Sequence, residues 1–336
     1  MLKFYKILFF NLMVIGTMIT ISSYNWFSMW IGLEINLLSV IPLFKSNSNY
    51  FPAEASIKYF ITQSLASTII LFSIIITMNM NEFLTIKYDF WSMMILNSAL
   101  LTKLGAAPFH NWFPEVSEGL NWPNNLILMT WQKLAPSILL MYNINTNFLF
   151  FIVILSSMIG GIWGMNQTSL RKILAYSSIN HLSWMIASMF FNKAIWLNYF
   201  IVYTLININI IMIFNFLKVF FLPQLFLILN YNKYMKLIFM FNFFSLGGLP
   251  PFLGFFPKWI TLNFLIFNNF YTLSIIMVIF TLLTLYFYMR ITFTTLTFSA
   301  NENIIFNSKM NNNFTIIFNT LILSSLIICI NLFNFY

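Results

Sequence analysis

Four charged residues of this sequence lie in segments that are otherwise apolar. Glu34, Lys103, Lys133 and Lys258 each lie well inside a hydrophobic run that is long enough to span a bilayer. A charge near the bilayer centre costs at least about 2.5–3.5 kcal/mol, and residues of this kind usually line an ion or proton path. Because desolvation disfavours the charged form of a lysine, a buried amine can bind and release a proton near neutral pH. One intramembrane acid with three intramembrane lysines therefore predicts proton transfer.

The acid and the first lysine are predicted to form a pair. Glu34 and Lys103 lie at similar depth in their runs, and an isolated buried carboxylate would simply take up a proton. Pairing offsets part of both desolvation costs, and breaking such a pair is expensive. Separation of the two charges would then change the electric field at Lys133 and help to expel its proton. The alternative is a structural acid that is capped or hydrogen-bonded between helices.

The two histidines of the chain, His110 and His181, are candidate relay groups because histidine titrates near neutral pH. His110 would share a helix face with Lys103 if the helix were continuous, but Pro108 lies between them. His181 is in the middle of its run, where a hydrogen-bonded packing role is an equal alternative. Two histidines so far apart, without acids nearby, do not predict a metal site. Polar residues within the runs predict interhelical hydrogen bonds or bound water, among them Asn36, Gln63 and Asn180.

The composition predicts an integral membrane protein with a single membrane domain. Hydrophobic residues make up 60% of the 336 residues and the mean hydropathy is +0.84. The net charge of +9 is scattered without a basic stripe, so nucleic acid is not an expected partner. The single Cys329 excludes an internal disulfide. No phosphate-cradling glycine loop, dinucleotide fingerprint or haem-binding pair is present, so we expect no cofactor in this chain.

The hydrophobic runs predict an all-α fold of about eleven transmembrane helices. Loops rich in lysine and arginine alternate with loops that have few, which predicts an N-terminus on the side of synthesis and a C-terminus on the opposite side. Abundant Phe, Met, Ile and Asn with only two Arg indicates AT-rich codons and an organellar gene. The predicted spans are 4–22, 26–44, 57–79, 90–109, 122–142, 147–165, 171–191, 195–221, 237–267, 271–291 and 314–334.

Two of these runs contain similar interruptions, Leu104–Pro108 and Gly247–Pro251. Pro250 and Pro251 lack amide hydrogens and clash with the carbonyls of the preceding turn, so a broken helix is expected. The two segments align with one residue inserted, Leu104-Gly105 against Leu246-Gly247 and Phe113-Pro114 against Phe256-Pro257. Since they lie five spans apart, they predict inverted repeats with discontinuous helices. The predicted repeats are 4–142 and 147–291, with an extra helix at 314–334; two independent proline kinks are the alternative.

Five segments together resemble the antiporter-like, proton-pumping membrane subunits of respiratory complex I, a family similar to Mrp-type cation/proton antiporter subunits. Insect mitochondrial forms look closest. The likeness covers nearly the whole chain and the motifs occur in the order found in that family. The chain resembles the animal version, which lacks the additional N-terminal helices of bacterial relatives. The segments are Trp30–Leu37, Lys103–His110, Met129–Pro136, Asn166–Lys172 and Ser245–Phe255.

The resemblance implies a role for each charged residue. Glu34 and Lys103 would form the controlling ion pair, Lys133 would be the central proton carrier, and Lys258 would lie on the exit side. His181 and water would link the last two lysines. An independent sodium or potassium antiporter and a purely structural scaffold are the competing interpretations, but intramembrane lysines outnumber the acid and a scaffold needs no buried charge.

The resemblance also implies where the chain works. It would be an obligate partner of the other membrane-arm subunits, including neighbouring antiporter-like subunits, in the mitochondrial inner membrane, and a lipid such as cardiolipin is a further candidate partner. The N-terminus would face the matrix and the C-terminus the intermembrane space. The chain would translocate protons as a subunit of NADH:ubiquinone oxidoreductase without redox chemistry of its own. NADH, FMN, iron–sulfur clusters and ubiquinone would belong to other subunits.

Overall fold

A computed structural model describes residues 4–45, 50–83, 90–229, 233–250 and 252–297 of the chain. Within these ranges the regular elements are α-helices, apart from one isolated bridge between Ser169 and Phe221. The predicted all-α fold is therefore confirmed. The predicted helix at 314–334, with Cys329, lies outside the described residues.

The first of two compact units comprises residues 1–152. In it α1 packs along α2, and α3 lies against α2, α4 and α5. Glycines allow the closest approach, because a Cβ at Gly16 would lie only 2.9 Å from the backbone nitrogen of Asn36. The helices are α1 Phe4–Ser22, α2 Trp26–Phe44, α3 Phe51–Phe83, α4 Phe90–Leu104, α5 Trp112–Gly119, α6 Trp122–Met129 and α7 Trp131–Leu140.

The second unit comprises residues 153–336. Its centre is α9, which is buried along nearly its whole length and packs against α10, α13 and α14. The helices are α8 Thr146–Gly164, which crosses the boundary between the units, α9 Leu170–Met189, α10 Lys193–Leu217, α11 Leu222–Leu229, α12 Lys233–Gly247, α13 Phe255–Phe267 and α14 Tyr271–Thr297.

Six helices of the described residues are long and apolar enough to cross a membrane. They coincide with predicted spans, and large apolar side chains such as Ile15, Phe72 and Leu282 are exposed on them, as expected of faces in contact with lipid. The chain is a polytopic membrane protein. The spans are Phe4–Ser22, Trp26–Phe44, Phe51–Met78, Thr146–Gly164, Lys193–Leu217 and Tyr271–Phe293.

The first interrupted run breaks at Gly105, which has a φ of +74°. Its amide nitrogen lies 3.0 Å from the carbonyl oxygen of Leu101 and 3.2 Å from that of Thr102, and the amide of Ala106 lies 3.1 Å from the Leu101 oxygen. This is the Schellman ending of a helix, for which a left-handed residue is needed and glycine is best suited.

The second interrupted run breaks in the same way at Gly248, which has a φ of +78°. The amide of Gly248 lies 3.1 Å from the carbonyl oxygens of Phe244 and Ser245, and the amide of Leu249 lies 3.2 Å from the Phe244 oxygen. After each break the chain resumes as a helix seven residues beyond the glycine, at Trp112 and at Phe255.

The conformation corrects the predicted alignment of the two breaks. The left-handed glycines are Gly105 and Gly248, so the insertion that paired Gly105 with Gly247 is wrong. Pairing Gly105 with Gly248 aligns Phe113-Pro114 with Phe256-Pro257 without any insertion. The sequence LGG offers two adjacent glycines, and only the backbone conformation shows which one ends the helix.

Helix packing in the two units also corresponds at the start of each predicted repeat. A Cβ on Gly160 would lie 2.8 Å from the backbone nitrogen of Asn180, as one on Gly16 would lie close to Asn36. A hydroxyl three residues later donates to each asparagine carbonyl, Ser39 at 2.7 Å and Ser183 at 2.6 Å. These local matches favour the predicted repeats over two independent kinks.

One further break was not predicted from the sequence. The run 122–142 is interrupted at Thr130, between α6 and α7. The Thr130 hydroxyl donates to the carbonyl of Leu126 at 2.7 Å, a bond that competes with the helical pattern and bends helices. Pro136, farther along, lies within α7 without ending it.

The matched contacts of α1 with α2 and of α8 with α9 predict that Gly16→Ala and Gly160→Ala each destabilise the protein by about 2–3 kcal/mol, the upper range for overpacking. In both cases the new methyl group meets backbone, which cannot move aside. Gly247→Ala is the matched control, because its Cβ would meet only side-chain atoms at 3.7 Å. Thermal unfolding of the purified assembly measures the difference, and equal stability of all three variants would contradict the packing account.

Candidate functional site

Lys133 is buried in the first turn of α7, directly after the break at Thr130. Its side chain is 2% exposed, and its Nζ lies 5.6 Å from the centroid of the Phe113 ring. An ammonium over an aromatic face is stabilised by the ring quadrupole, more strongly when the site is desolvated. The break therefore places the lysine at a helix start, beside an aromatic ring.

Lys103 lies in the last turn of α4, where the helix dipole favours a cation, and its side chain is 6% exposed. Glu34 lies on α2, half-buried. The carboxylate acts on the ammonium electrostatically, but within the described part of the chain the two do not form an ion pair of 4.0 Å or less. The structure thus places the predicted pair within electrostatic range without direct contact.

A small cavity of about 20 Å³ lies beside Lys103. A glutamine of α7 joins two of its walls, since Gln132 donates to the side-chain oxygen of Asn36 at 3.0 Å and accepts from the Tyr59 hydroxyl at 3.2 Å. The lining includes Asn36, Tyr59, Gln63, Lys103, Gln132 and Pro136. The cavity therefore connects polar groups from α2, α3, α4 and α7.

Lys258 is held by the broken end of α12. Its Nζ donates to the carbonyl of Gly247 at 2.8 Å and to that of Leu246 at 3.4 Å. Pro250 and Pro251 lack the amides that would bond these carbonyls in a continuous helix. The lysine replaces the missing donors, and with a side chain that is 6% exposed it is as deeply buried as Lys103.

His181 lies in the middle of α9 and contacts two tyrosines of α10. Its Nδ1 and the Tyr199 hydroxyl oxygen are 2.9 Å apart, and its ring centroid is 5.2 Å from that of Tyr203. A cavity of about 10 Å³ separates this group from the end of α12, and Leu246, whose carbonyl binds Lys258, lines it. This is at the lower limit of the space for one water.

His110 does not share a helix face with Lys103, because the helix is not continuous between them. It lies in the connection from α4 to α5, buried, with its Nδ1 3.3 Å from the carbonyl oxygen of Pro108. The condition for a shared face, a continuous helix, is not met, since α4 ends at Leu104 with the left-handed turn at Gly105.

Lys58 forms ion pairs with Glu54 at 3.0 Å and Glu115 at 2.9 Å. Glu54 lies on α3 and Glu115 on α5. All three side chains are exposed, and exposed ion pairs contribute little to stability. We therefore separate this group from the buried charges.

The structure brings Glu34, Lys103, Lys133 and His110 into the first unit, and His181 and Lys258 into the second. Sequence reasoning missed Tyr59, Gln132 and Tyr199. The signal for Gln132 was its place directly before the buried Lys133 and four residues before Pro136; the tyrosines had no local signal. Among the described residues there is no group of three His, Cys, Asp or Glu side chains that could hold a metal ion.

Comparison with known proteins gives consistent matches. The family model described as NADH:quinone oxidoreductase/Mrp antiporter, transmembrane, matches residues 23–284. The chain is 46% identical over 327 residues to NADH-ubiquinone oxidoreductase chain 2 of Anopheles gambiae, with 95% of each chain covered. It is 40% identical over 331 residues to chain 2 of Mammuthus primigenius, covering 94% of this chain and 92% of that one.

Solved structures show the same fold. A chain of respiratory complex I from Thermus thermophilus superposes with a TM-score of 0.85 at 21% identity, covering 96% of this chain and 78% of that chain. A chain of the Mrp complex from Dietzia superposes with a TM-score of 0.72 at 14% identity, covering 83% of this chain and 58% of that one. At these identities the likeness concerns the fold.

The position of Lys258 predicts that Gly248→Ala displaces it. A Cβ at residue 248 would lie 2.8 Å from Cδ of Lys258 and 3.0 Å from its Nζ, and alanine would also be strained at a φ of +78°. We expect a loss of about 1–2 kcal/mol of stability and a broken bond from Nζ to the Gly247 carbonyl. A high-resolution structure of the variant beside Gly247→Ala measures the displacement, and an unchanged Lys258 would contradict it.

Proposed function

This chain belongs to the family of NADH-ubiquinone oxidoreductase chain 2, within the NADH:quinone oxidoreductase/Mrp antiporter proteins, and from that premise we propose that it translocates protons as a membrane subunit of complex I. Electron transfer from NADH to ubiquinone, carried out in other subunits, would supply the driving force. The observation that carries the proposal is the burial of three lysines, Lys103, Lys133 and Lys258, in a membrane protein.

The proposed roles follow from the surroundings of each lysine. Lys133 is the central proton carrier, because desolvation favours its neutral amine while the aromatic ring stabilises its ammonium, so the two effects oppose each other and both forms are accessible. Lys103 responds to Glu34 through the electric field, so a change at Glu34 alters the proton occupancy of Lys103 without breaking a direct ion pair. Lys258 and His181 are the proposed proton-transfer residues of the second unit, and His110 is a candidate relay beside the first break.

The proposed architecture consists of about eleven spans in two inverted five-helix repeats, 4–142 and 147–291, with an extra helix at 314–334. The matched Schellman endings at Gly105 and Gly248 and the matched contacts of Gly16 and Gly160 support it. Discontinuous helices of this kind place backbone carbonyls inside the membrane, where they bind ions and charged side chains.

The proposed setting is the mitochondrial inner membrane, with the N-terminus in the matrix and the C-terminus in the intermembrane space. The partners are other membrane-arm subunits, including neighbouring antiporter-like subunits, in an obligate hetero-oligomer; a lipid such as cardiolipin is a further one. NADH, FMN, iron–sulfur clusters and ubiquinone are assigned to other chains. High similarity to the mosquito chains over nearly their full lengths supports this setting.

Lys133→Ala is expected to lower proton translocation by about tenfold or more, a modest part of what a positioned proton donor contributes to a rate. Assembly should change far less, because Lys133 is one residue of α7. The measurement is proton uptake per NADH oxidised in vesicles containing the assembled complex. Lys58→Ala is the control, since that lysine is exposed; full pumping by the Lys133 variant would refute the assignment.

Glu34→Gln is expected to slow coupled turnover by about threefold, less than about 1 kcal/mol of barrier, and to change its pH dependence. The amide keeps the shape of the side chain but removes the charge that acts on Lys103. Glu54→Gln, an exposed acid on α3, is the control. If the pH profiles of Glu34→Gln and the unmodified complex coincide over a broad range, the electrostatic control of Lys103 is wrong.

A further inference from the structure

The cavity beside Lys103 has the size and polarity of a site for one water molecule. Its volume is about 20 Å³, and about 10–15 Å³ is enough for a single water, which usually makes about three hydrogen bonds. The walls come from four helices of the first unit, so a molecule in this space would contact α2, α3, α4 and α7 together.

Two hydrogen-bond donors of the cavity wall have no acceptor among the described residues. Gln63 is 4% exposed, and its Nε2 has no hydrogen-bond partner in the part of the chain that the structure describes. Lys103 carries three N–H donors when charged, and its interaction with the described residues is the electrostatic one with Glu34. A buried unsatisfied amide costs about 1–3 kcal/mol, so both groups favour an acceptor between them.

The same wall offers an acceptor on α7. Because Pro136 has no amide hydrogen, the backbone carbonyl of Gln132 has lost its helical donor, and Gln132 and Pro136 both line the cavity. A water that accepts from Lys103 and Gln63 can donate to this carbonyl. Its three bonds would then join the lysine of α4 to the first turn of α7, which carries Lys133.

Gln132 also fixes the position of that turn. Its side chain donates to Asn36 on α2 and accepts from Tyr59 on α3, at 3.0 and 3.2 Å. The break at Thr130 separates α7 from α6, so these two bonds tie the start of α7 to its neighbours where the chain itself is interrupted. The residue next in sequence is Lys133, which lies in the same turn of α7, so the position of this turn affects both side chains.

We propose that Gln132 is a positioning residue for proton transfer, and that with Lys103 and Gln63 it forms a one-water site that connects α4 to the start of α7. The inference rests on the proposed function of Lys133 as a proton carrier. The two glutamines are neutral and do not titrate, so their proposed role is to hold the water and the start of α7 in place by hydrogen bonds.

The second unit provides a matched control for the interhelical bond. Asn180, the counterpart of Asn36, donates to the Thr284 hydroxyl of α14 at 3.3 Å. Thr284→Val removes this bond while keeping the shape of the side chain, and no lysine takes part in it. If the role of Gln132 were merely structural, its replacement and that of Thr284 would have the same kind of effect on proton uptake and its pH profile.

The first experiment compares Gln132→Met, Gln132→Glu and Thr284→Val in the assembled complex in vesicles, by proton uptake per NADH oxidised, its pH profile and its solvent isotope effect. We expect Gln132→Met to lower uptake by about tenfold, within the hundredfold that a misplacement of about 1 Å can cost, and to change the pH profile and isotope effect. Gln132→Glu, which when protonated can make both bonds, should restore part of the rate. Thr284→Val should leave the profile and the isotope effect unchanged.

The second experiment uses Gln63→Met, which breaks no hydrogen bond between described protein groups, since the amide nitrogen has none. Only the proposed bond to water is lost, and methionine is an unbranched side chain that adapts to the space of a glutamine, so assembly should be kept and thermal stability should change little. If the cavity holds the proposed water, proton uptake should still fall by about threefold or more. This variant tests the site even if Gln132→Met does not assemble.

The outcomes separate the inference from the proposed function. Unchanged uptake in Gln63→Met, or equal profiles for Gln132→Met and Thr284→Val, would overturn the inference. Lys133→Ala, measured in parallel, tests the function itself: if it pumps normally, the proposed function fails. If Lys133→Ala abolishes uptake while both glutamine variants pump normally, only the water site is wrong.

Discussion

The structure depends on how a helix that breaks among apolar residues satisfies its backbone groups. Lipid offers no hydrogen bonds, so every carbonyl freed by a break must find a donor within the protein or in enclosed water. At the end of α12 the donor is the ammonium of Lys258, which binds the carbonyls of Gly247 and Leu246. The helix break and the buried lysine therefore stabilise each other, because the break supplies carbonyl acceptors and the lysine supplies the donors.

The three buried lysines are stabilised in three different ways. Lys258 is bound by backbone carbonyls, Lys133 lies over the ring of Phe113, and Lys103 lies at the C-terminal end of α4 in the field of Glu34. The positions of the acidic residues along the chain explain why Lys258 is stabilised differently from Lys103. No acidic residue occurs between Glu118 and Glu302, so the region around Lys258 must use dipoles where the first unit has a carboxylate.

The sequence was sufficient to predict the all-α membrane fold, most helix boundaries and the two glycine–proline breaks. Long apolar runs leave few alternatives in a bilayer, and a glycine followed within three residues by a proline favours the end of a helix, whereas Pro136 alone does not end α7. It was not sufficient to place the left-handed residue among Gly247 and Gly248, because either glycine can adopt that conformation. The break at Thr130 was missed since a threonine bends a helix only when its hydroxyl bonds the preceding turn, which depends on neighbouring helices. Tyr199 and Tyr59 were missed because their partners come from other helices.

The distance between Glu34 and Lys103 has a physical consequence for transport. A direct buried ion pair is expensive to break, and it would hold one protonation state over a wide range of conditions. A carboxylate that acts through the field without contact biases the lysine by a smaller amount, so that both protonation states remain accessible. The same holds for Lys258, since carbonyl oxygens bind an ammonium more strongly but also accept a hydrogen bond from a neutral amine. For the proposed role as proton carriers, weak stabilisation of the buried lysines keeps both protonation states accessible, whereas a salt bridge at each lysine would favour stability at the expense of transfer.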